Sequence, residues 1–128
     1  MERAEFKIIT TTVGNKVQAA ALADAIVRAR LAACVQFWPI HSTYWWKGRL
    51  ETGRELLLSC KTRSRRVIAL IAFIKAHHSY DVPEIVVTPI EAGHPAYLGW
   101  IKRETLQPRL TFPAAATRKR SSRRDGKS

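Results

Sequence analysis

Only two cysteines, Cys34 and Cys60, occur in 128 residues, and they form no C-x-x-C pair, which leaves no basis for a zinc framework or a thioredoxin-like redox motif. Both are expected as buried structural thiols, the first because it follows the small apolar run Leu31-Ala32-Ala33. No apolar stretch approaches the roughly 18 residues of a membrane span, and Met1-Glu2-Arg3-Ala4-Glu5 lacks the basic-then-apolar pattern of a secretory leader. Free thiols and this N-terminus lead to the expectation of a cytoplasmic protein with no membrane partner. There is no glycine-rich phosphate loop, no G-x-S-x-G elbow and no H-E-x-x-H helix. A catalytic assignment has no starting point, so a non-enzymatic role is expected.

Acids are also few, 10 against 22 lysines and arginines, for a formal net charge of +12. The excess is divided along the chain, +7 in residues 1–117 and the rest at the end. Arg118, Lys119, Arg120, Arg123, Arg124 and Lys127 face Asp125 alone, a net +5. Periodicity fades after Pro108, so residues 113–128 read as a disordered basic tail on a domain of residues 1–112. What remains is ordinary globular composition, 46% apolar and 25% charged. A domain of this length buries about two-thirds of its unfolded surface and needs no disulfide or structural metal.

The patterning gives an α+β order. Residues 6–12 are rich in β-branched side chains and stop at Gly14-Asn15, a first strand and its turn. Lys16 to Arg30 is alanine-rich with Leu22, Ile26 and Ala29 on one stripe, an amphipathic helix facing a sheet. Cys34 to Trp46 reads as a long strand, and Pro39 within it implies an edge or a bulge. Lys47-Gly48 is the tight turn, and the return strand runs to about Lys61, with Gly53 as a candidate bulge. Two strands this long exceed the usual five or six residues and need cover from elsewhere. A second helix over residues 64–77 turns Val67, Leu70, Ile71 and Ile74 inward. Residues 84–90 form a buried strand, and a third helix opening at His94-Pro95 carries Tyr97, Leu98 and Ile101 inward. The order is a ferredoxin-like βαββαβ with an additional C-terminal helix.

Few residues offer chemistry. His77-His78 is the one adjacent histidine pair, and imidazole is the commonest metal ligand. Neighbours on a helix point about 100° apart, however, and a histidine at a helix C-terminus also satisfies frayed carbonyls. Tyr44, Trp45 and Trp46 precede the hairpin turn, where alternation sends the two tryptophans to opposite faces. Such a hairpin fits an oligomer interface or a ligand cleft. Tyr80, Asp81 and Glu84 follow the histidines, and Lys61, ending the third strand, is expected at the same end of the sheet; such a cluster fits a small anion or metal complex, or, more commonly, solvated loop charges.

Four ordered motifs carry a resemblance: Leu31-Ala32-Ala33-Cys34; residues 44–51, with Tyr44-Trp45-Trp46-Lys47-Gly48; residues 77–85, with His77-His78-Ser79-Tyr80-Asp81; and Tyr97-Leu98-Gly99-Trp100. Together, over residues 6–107, they closely resemble the CutA family of divalent-cation tolerance proteins. The resemblance implies a PII-like, ferredoxin-type fold, a tight homotrimer whose long hairpins extend sheets between subunits, and a role in tolerance to divalent metals, particularly copper. It carries His77 and His78 over as metal contacts. It also implies an inter-subunit cleft of Trp46, Lys61, His78, Tyr80 and Glu84. Some members have a cysteine at the end of the first strand as a copper ligand. This chain has Thr10-Thr11-Thr12 there instead, so the soft thiolate is missing. Two other functions fit the residues. A PII-like sensor would hold a small anion or nucleotide between subunits through Lys61. A nucleic-acid binder would act through the basic tail alone, since residues 55–60 present no aromatic to stack on a base.

Overall fold

The structure, a computed structural model, describes residues 4–106. The basic tail and the boundary drawn at residue 112 lie outside the described residues. Four strands, β1 (Phe6–Val13), β2 (Cys34–Trp46), β3 (Arg49–Arg63) and β4 (Ile85–Ile90), form one sheet in the order β2-β3-β1-β4 with every pair antiparallel. Among the described residues, helices α1 (Lys16–Arg28), α2 (Val67–His77) and α3 (Pro95–Glu104) complete the elements. This is the split βαβ order expected from the pattern, with α3 added.

Strand alternation divides the sheet into two faces. Ile9, Val13, Leu58 and Cys60 pack with Leu22 and Ile26 of α1 and Leu70 and Ile74 of α2 into the core. Asn15 caps α1 by accepting the Gln18 N–H at 2.9 Å. The helix stops at Arg28 rather than Arg30, because Arg30 turns left-handed at φ 61°. Ala29, expected on the buried stripe, is therefore the exposed C-cap, and Ala19 takes the buried place. Residues 64–66 form a 3-10 turn rather than the start of α2. Ser64 does not cap the helix, since its Oγ donates to the Ala4 carbonyl at 2.8 Å.

The opposite face carries Ile8, Gln36, Trp38, Leu57, Lys61 and Val86, and α3 contacts β3 at one end of the sheet. Ile101 is fully buried there, but Tyr97, expected inward, is 40% exposed and lies against Trp100 with ring centroids 5.5 Å apart. Cys34 is half-buried rather than buried, because it lies on this less covered face, whereas Cys60 is in the core; both thiols are free. Burial first, then the nearby Cys34, pushes the Cys60 thiol up to about 12.

β2 and the turn match their expected limits, and β3 runs two residues past Lys61, to Arg63. Lys47 and Gly48 both have positive φ, 51° and 79°, the backbone of a two-residue type I′ turn. Pro39 sits on the edge strand, opposite Leu56, where its missing N–H costs no ladder bond. The register runs unbroken from Cys34↔Lys61 to Trp46↔Arg49, and Ser42 pairs with Gly53, so there is no bulge at Gly53. β1 reaches only to Leu56. Beyond it the hairpin projects about seven residues, or roughly 23 Å, without a neighbouring strand among the described residues.

Candidate functional site

The root of this projection forms one wall of a cavity of about 640 Å³. β2 contributes Ser42, Thr43, Tyr44 and Trp46, β3 contributes Glu55, and β1 ends there with Thr12. The opposite wall is the segment between α2 and β4, with Tyr80, Asp81, Val82 and Glu84. Alternation places Ser42, Tyr44, Trp46 and Glu55 on the same face. Trp45, on the other face, is 72% exposed.

Glu55 organises the cavity. One of its oxygens accepts from Ser42 Oγ at 2.7 Å and the other from Tyr80 Oη at 2.9 Å. Burial, then the hydrogen bond and charge of Glu55, with a smaller contribution from Tyr44, push the Tyr80 phenol up to about 12. Tyr80 therefore stays a neutral donor throughout the physiological range.

His78 fixes this arrangement from the rear. Its Nε2 lies 2.7 Å from the Thr12 carbonyl oxygen, and its Nδ1 accepts the Tyr80 N–H at 3.1 Å. The ring is thus the neutral Nε2–H tautomer. It ties the end of α2 to the end of β1 and aims Tyr80 at Glu55. His77 points elsewhere. It stacks on Phe73 at 4.1 Å, its Nδ1–H donates to the Phe73 carbonyl at 2.8 Å, and it faces a smaller cavity of about 190 Å³ against α1. Its Nε2 is the only imidazole nitrogen of the pair with no hydrogen-bond partner among the described residues.

The structure therefore brings together Trp46, Tyr80 and Glu84 of the expected cleft, with His78 behind them as a positioning residue. It does not bring Lys61 to them. Lys61 is six residues along β3 from Glu55, about 20 Å away, opposite Ile8 and Cys34, and its Nζ donates to Gln36 Oε1. Glu55 and Ser42 were not among the expected site residues, whereas Asp81 joins Tyr80 and Glu84 in the cavity, as expected of that charged cluster from the sequence. A signal for Glu55 exists in the sequence. With the turn at Lys47-Gly48, Glu55 falls opposite Ile40 and diagonal to Ser42, a lone acid entering the apolar run Leu56-Leu57-Leu58. Among the described residues no group of three or more His, Cys, Asp or Glu side chains is close enough to share a metal ion.

The structure is thus a ferredoxin-like, PII-like βαββαβ domain with a projecting hairpin and an acidic, aromatic cavity at its root. Residues 7–104 match the family model described as CutA1 divalent ion tolerance protein, and the chain belongs to that family. Over 99 residues it is 44% identical to Protein CutA 1, chloroplastic, of Oryza sativa subsp. japonica, covering 77% of this chain and 56% of that protein. Over 100 residues it is 40% identical to the divalent-cation tolerance protein CutA of Thermus thermophilus, covering 77% of this chain and 97% of that one. The solved CutA1 of Oryza sativa superposes with a TM-score of 0.79 at 41% identity, covering 83% of this chain and 98% of that chain. The chain spans a little over half the length of the plant and animal relatives it matches. Among the described residues no helix is long and apolar enough to cross a membrane.

Proposed function

We propose that this chain is a non-catalytic homotrimeric protein of the response to divalent cations, copper among them, whose cation contacts are the acidic cavity and His77. The observation that carries this reading is the cavity of a divalent ion tolerance family member, where Glu55, Asp81 and Glu84 face a common space lined by no lysine, arginine or histidine. His77 Nε2 offers a second, separate contact on the α1 side, an imidazole nitrogen of the softer kind that copper prefers. His78 joins only if it gives up its bonds to Thr12 and Tyr80. A single chain offers an incomplete donor set, so tight capture requires ligands from a neighbouring subunit.

Two features support assembly. The outer edge of β2 is unpaired along its length, an open template for another strand. Half-exposed apolar groups on the less covered face, Trp38 at 44% and Val86 at 46%, need cover. Lys61, on that face, would reach a cavity only in a neighbouring chain. The three carboxylates oppose the alternative of an anion or nucleotide sensor. Two free thiols favour a reducing, cytoplasmic setting.

Native mass spectrometry of the full chain with and without copper and zinc tests this reading. A trimer is expected that takes up ions in proportion to its subunits, with uptake reduced in Asp81→Asn/Glu84→Gln and in His77→Ala. A trimer indifferent to both metals overturns the cation role, and a monomer overturns the assembly.

A further inference from the structure

The cavity is built for more than a bare ion. About 640 Å³ lies within the range of sites for organic ligands. Its walls combine the carboxylates of Glu55, Asp81 and Glu84 with the rings of Tyr44, Trp46 and Tyr80. Carboxylates beside aromatic faces suit guanidinium and ammonium groups, which take a hydrogen-bonded ion pair from the first and a cation–π contact from the second. Trp46 already makes one such contact, with Lys47 Nζ 5.8 Å from its ring centroid. Even a Lys61 supplied by a neighbouring subunit would leave two of the three carboxylates without a cation.

We propose that this cavity is occupied by the chain's own basic segment, residues 113–128, from the same or a neighbouring subunit. Charge complementarity selects it: Arg118, Lys119, Arg120, Arg123 and Arg124 supply five cations within seven residues. Reach permits it. The described chain ends at Leu106, next to Thr105, whose carbonyl accepts from Arg63 Nη2 at 3.4 Å. Glu55 lies eight residues back along β3, about 26 Å, and the twelve residues from Leu106 to Arg118 span about 40 Å when extended. Around the point of exit, Arg63, Arg66 and Arg103 outnumber the acids, since Glu104 pairs with Arg30 and Glu5 with Lys102, so the root offers the segment no free carboxylate among these groups. The tail then acts as a tethered competitor that an incoming cation must displace. This rests on the cavity being a ligand site, but not on its binding metal.

The test uses the full chain, the full chain with Arg118, Lys119, Arg120, Arg123 and Arg124 all changed to Gln, and a fluorescent peptide of residues 113–128 followed by anisotropy in EDTA. The peptide is expected to bind the Gln-tail chain. It should bind the unaltered chain about tenfold more weakly or worse, because a tethered copy competes at millimolar effective concentration. Binding should be lost when Asp81→Asn/Glu84→Gln is added to the Gln-tail chain, and should weaken with salt. No binding to the Gln-tail chain, or binding indifferent to Asp81→Asn/Glu84→Gln, overturns the proposal. So does a tail whose neutralisation alters only retention on an oligonucleotide, which would assign it to nucleic acid. Copper and zinc uptake by the Gln-tail chain is read separately. Peptide binding without metal uptake keeps this inference and removes the cation reading, and the reverse result does the opposite.

Discussion

Removing the carboxylate beneath Tyr80 should release its proton at a lower pH. Tyr80 is held up to about 12 by burial first and by Glu55 second, against an ordinary phenol near 10. At pH 11 a group with a midpoint of 12 is only about one-tenth ionised, whereas one at 10 is about nine-tenths ionised. Glu55→Gln keeps an acceptor for the phenol and removes the charge, so the Tyr80 midpoint should fall between these limits without reaching 10, because burial remains. The assay is tyrosinate absorbance at 295 nm against pH, with Tyr80→Phe subtracted to isolate this residue from Tyr44 and Tyr97, and circular dichroism to confirm folding at each point. The linkage has a definite sign. A folded-state pKa raised above the unfolded value contributes stability below pH 10 that is lost as pH rises toward 12. Two results refute the reasoning: a Tyr80 that titrates near 10 in the unaltered chain, or a midpoint unmoved by Glu55→Gln.

Cys60 should show the same sign in the core: its thiol is pushed from 9.0 to about 12, so stability falls by up to about 1.4 kcal/mol per pH unit above 9. Urea midpoints at fixed protein concentration should show a shallower alkaline loss in Cys60→Ala, and an equal slope refutes it. Thr11 is fully buried with an Oγ1 that has no hydrogen-bond partner, so Thr11→Val should raise stability by about 1 kcal/mol, and a lower urea midpoint would contradict this. Ile74→Ala empties a fully buried core position and should cost about 2–5 kcal/mol by denaturant titration. Gly48→Ala meets no atom within 4 Å but must hold φ 79°, so its cost should be backbone strain of about 1 kcal/mol, read as a lowered thermal midpoint.

Elements were legible where the local code and the tertiary environment agree. β2 and the Lys47-Gly48 turn match their expected limits because alternation and a glycine with positive φ point to one hairpin. The failures occur where a distant partner decides. Ser64 was expected to start a helix, but its hydroxyl is committed to Ala4, sixty residues away. Tyr97 lies on the apolar stripe of α3, yet the sheet face opposite leaves it 40% exposed. At the site, adjacency in sequence suggested that His77 and His78 act together, whereas the end of α2 falls between them and sends one ring to Phe73 and the other to Thr12. Lys61, at the end of the third strand, was placed at the same end of the sheet as Tyr80, which follows the second helix. Only the register, with Lys61 opposite Ile8 and Leu56 opposite Val13, shows that they occupy different ends.

The same register links assembly to ligand binding. Ser42, Tyr44 and Trp46 line the cavity from the part of the hairpin that β1 does not reach. Isolated two-stranded ribbons are marginal in water, so whatever covers the projecting strands also fixes the positions of the cavity's aromatic wall. On the other side, Tyr80 is held to Glu55 of that ribbon and to His78 of the domain body. A neighbouring subunit that packs on the hairpin therefore acts on Glu55 directly, and through Tyr80 on the segment carrying Asp81 and Glu84. In the proposed trimer this geometry would couple ligand affinity to oligomer stability, and such coupling is reciprocal. A ligand that draws the carboxylates together would then tighten the hairpin's seat in its neighbour by the same factor by which the proposed assembly raises the ligand's affinity.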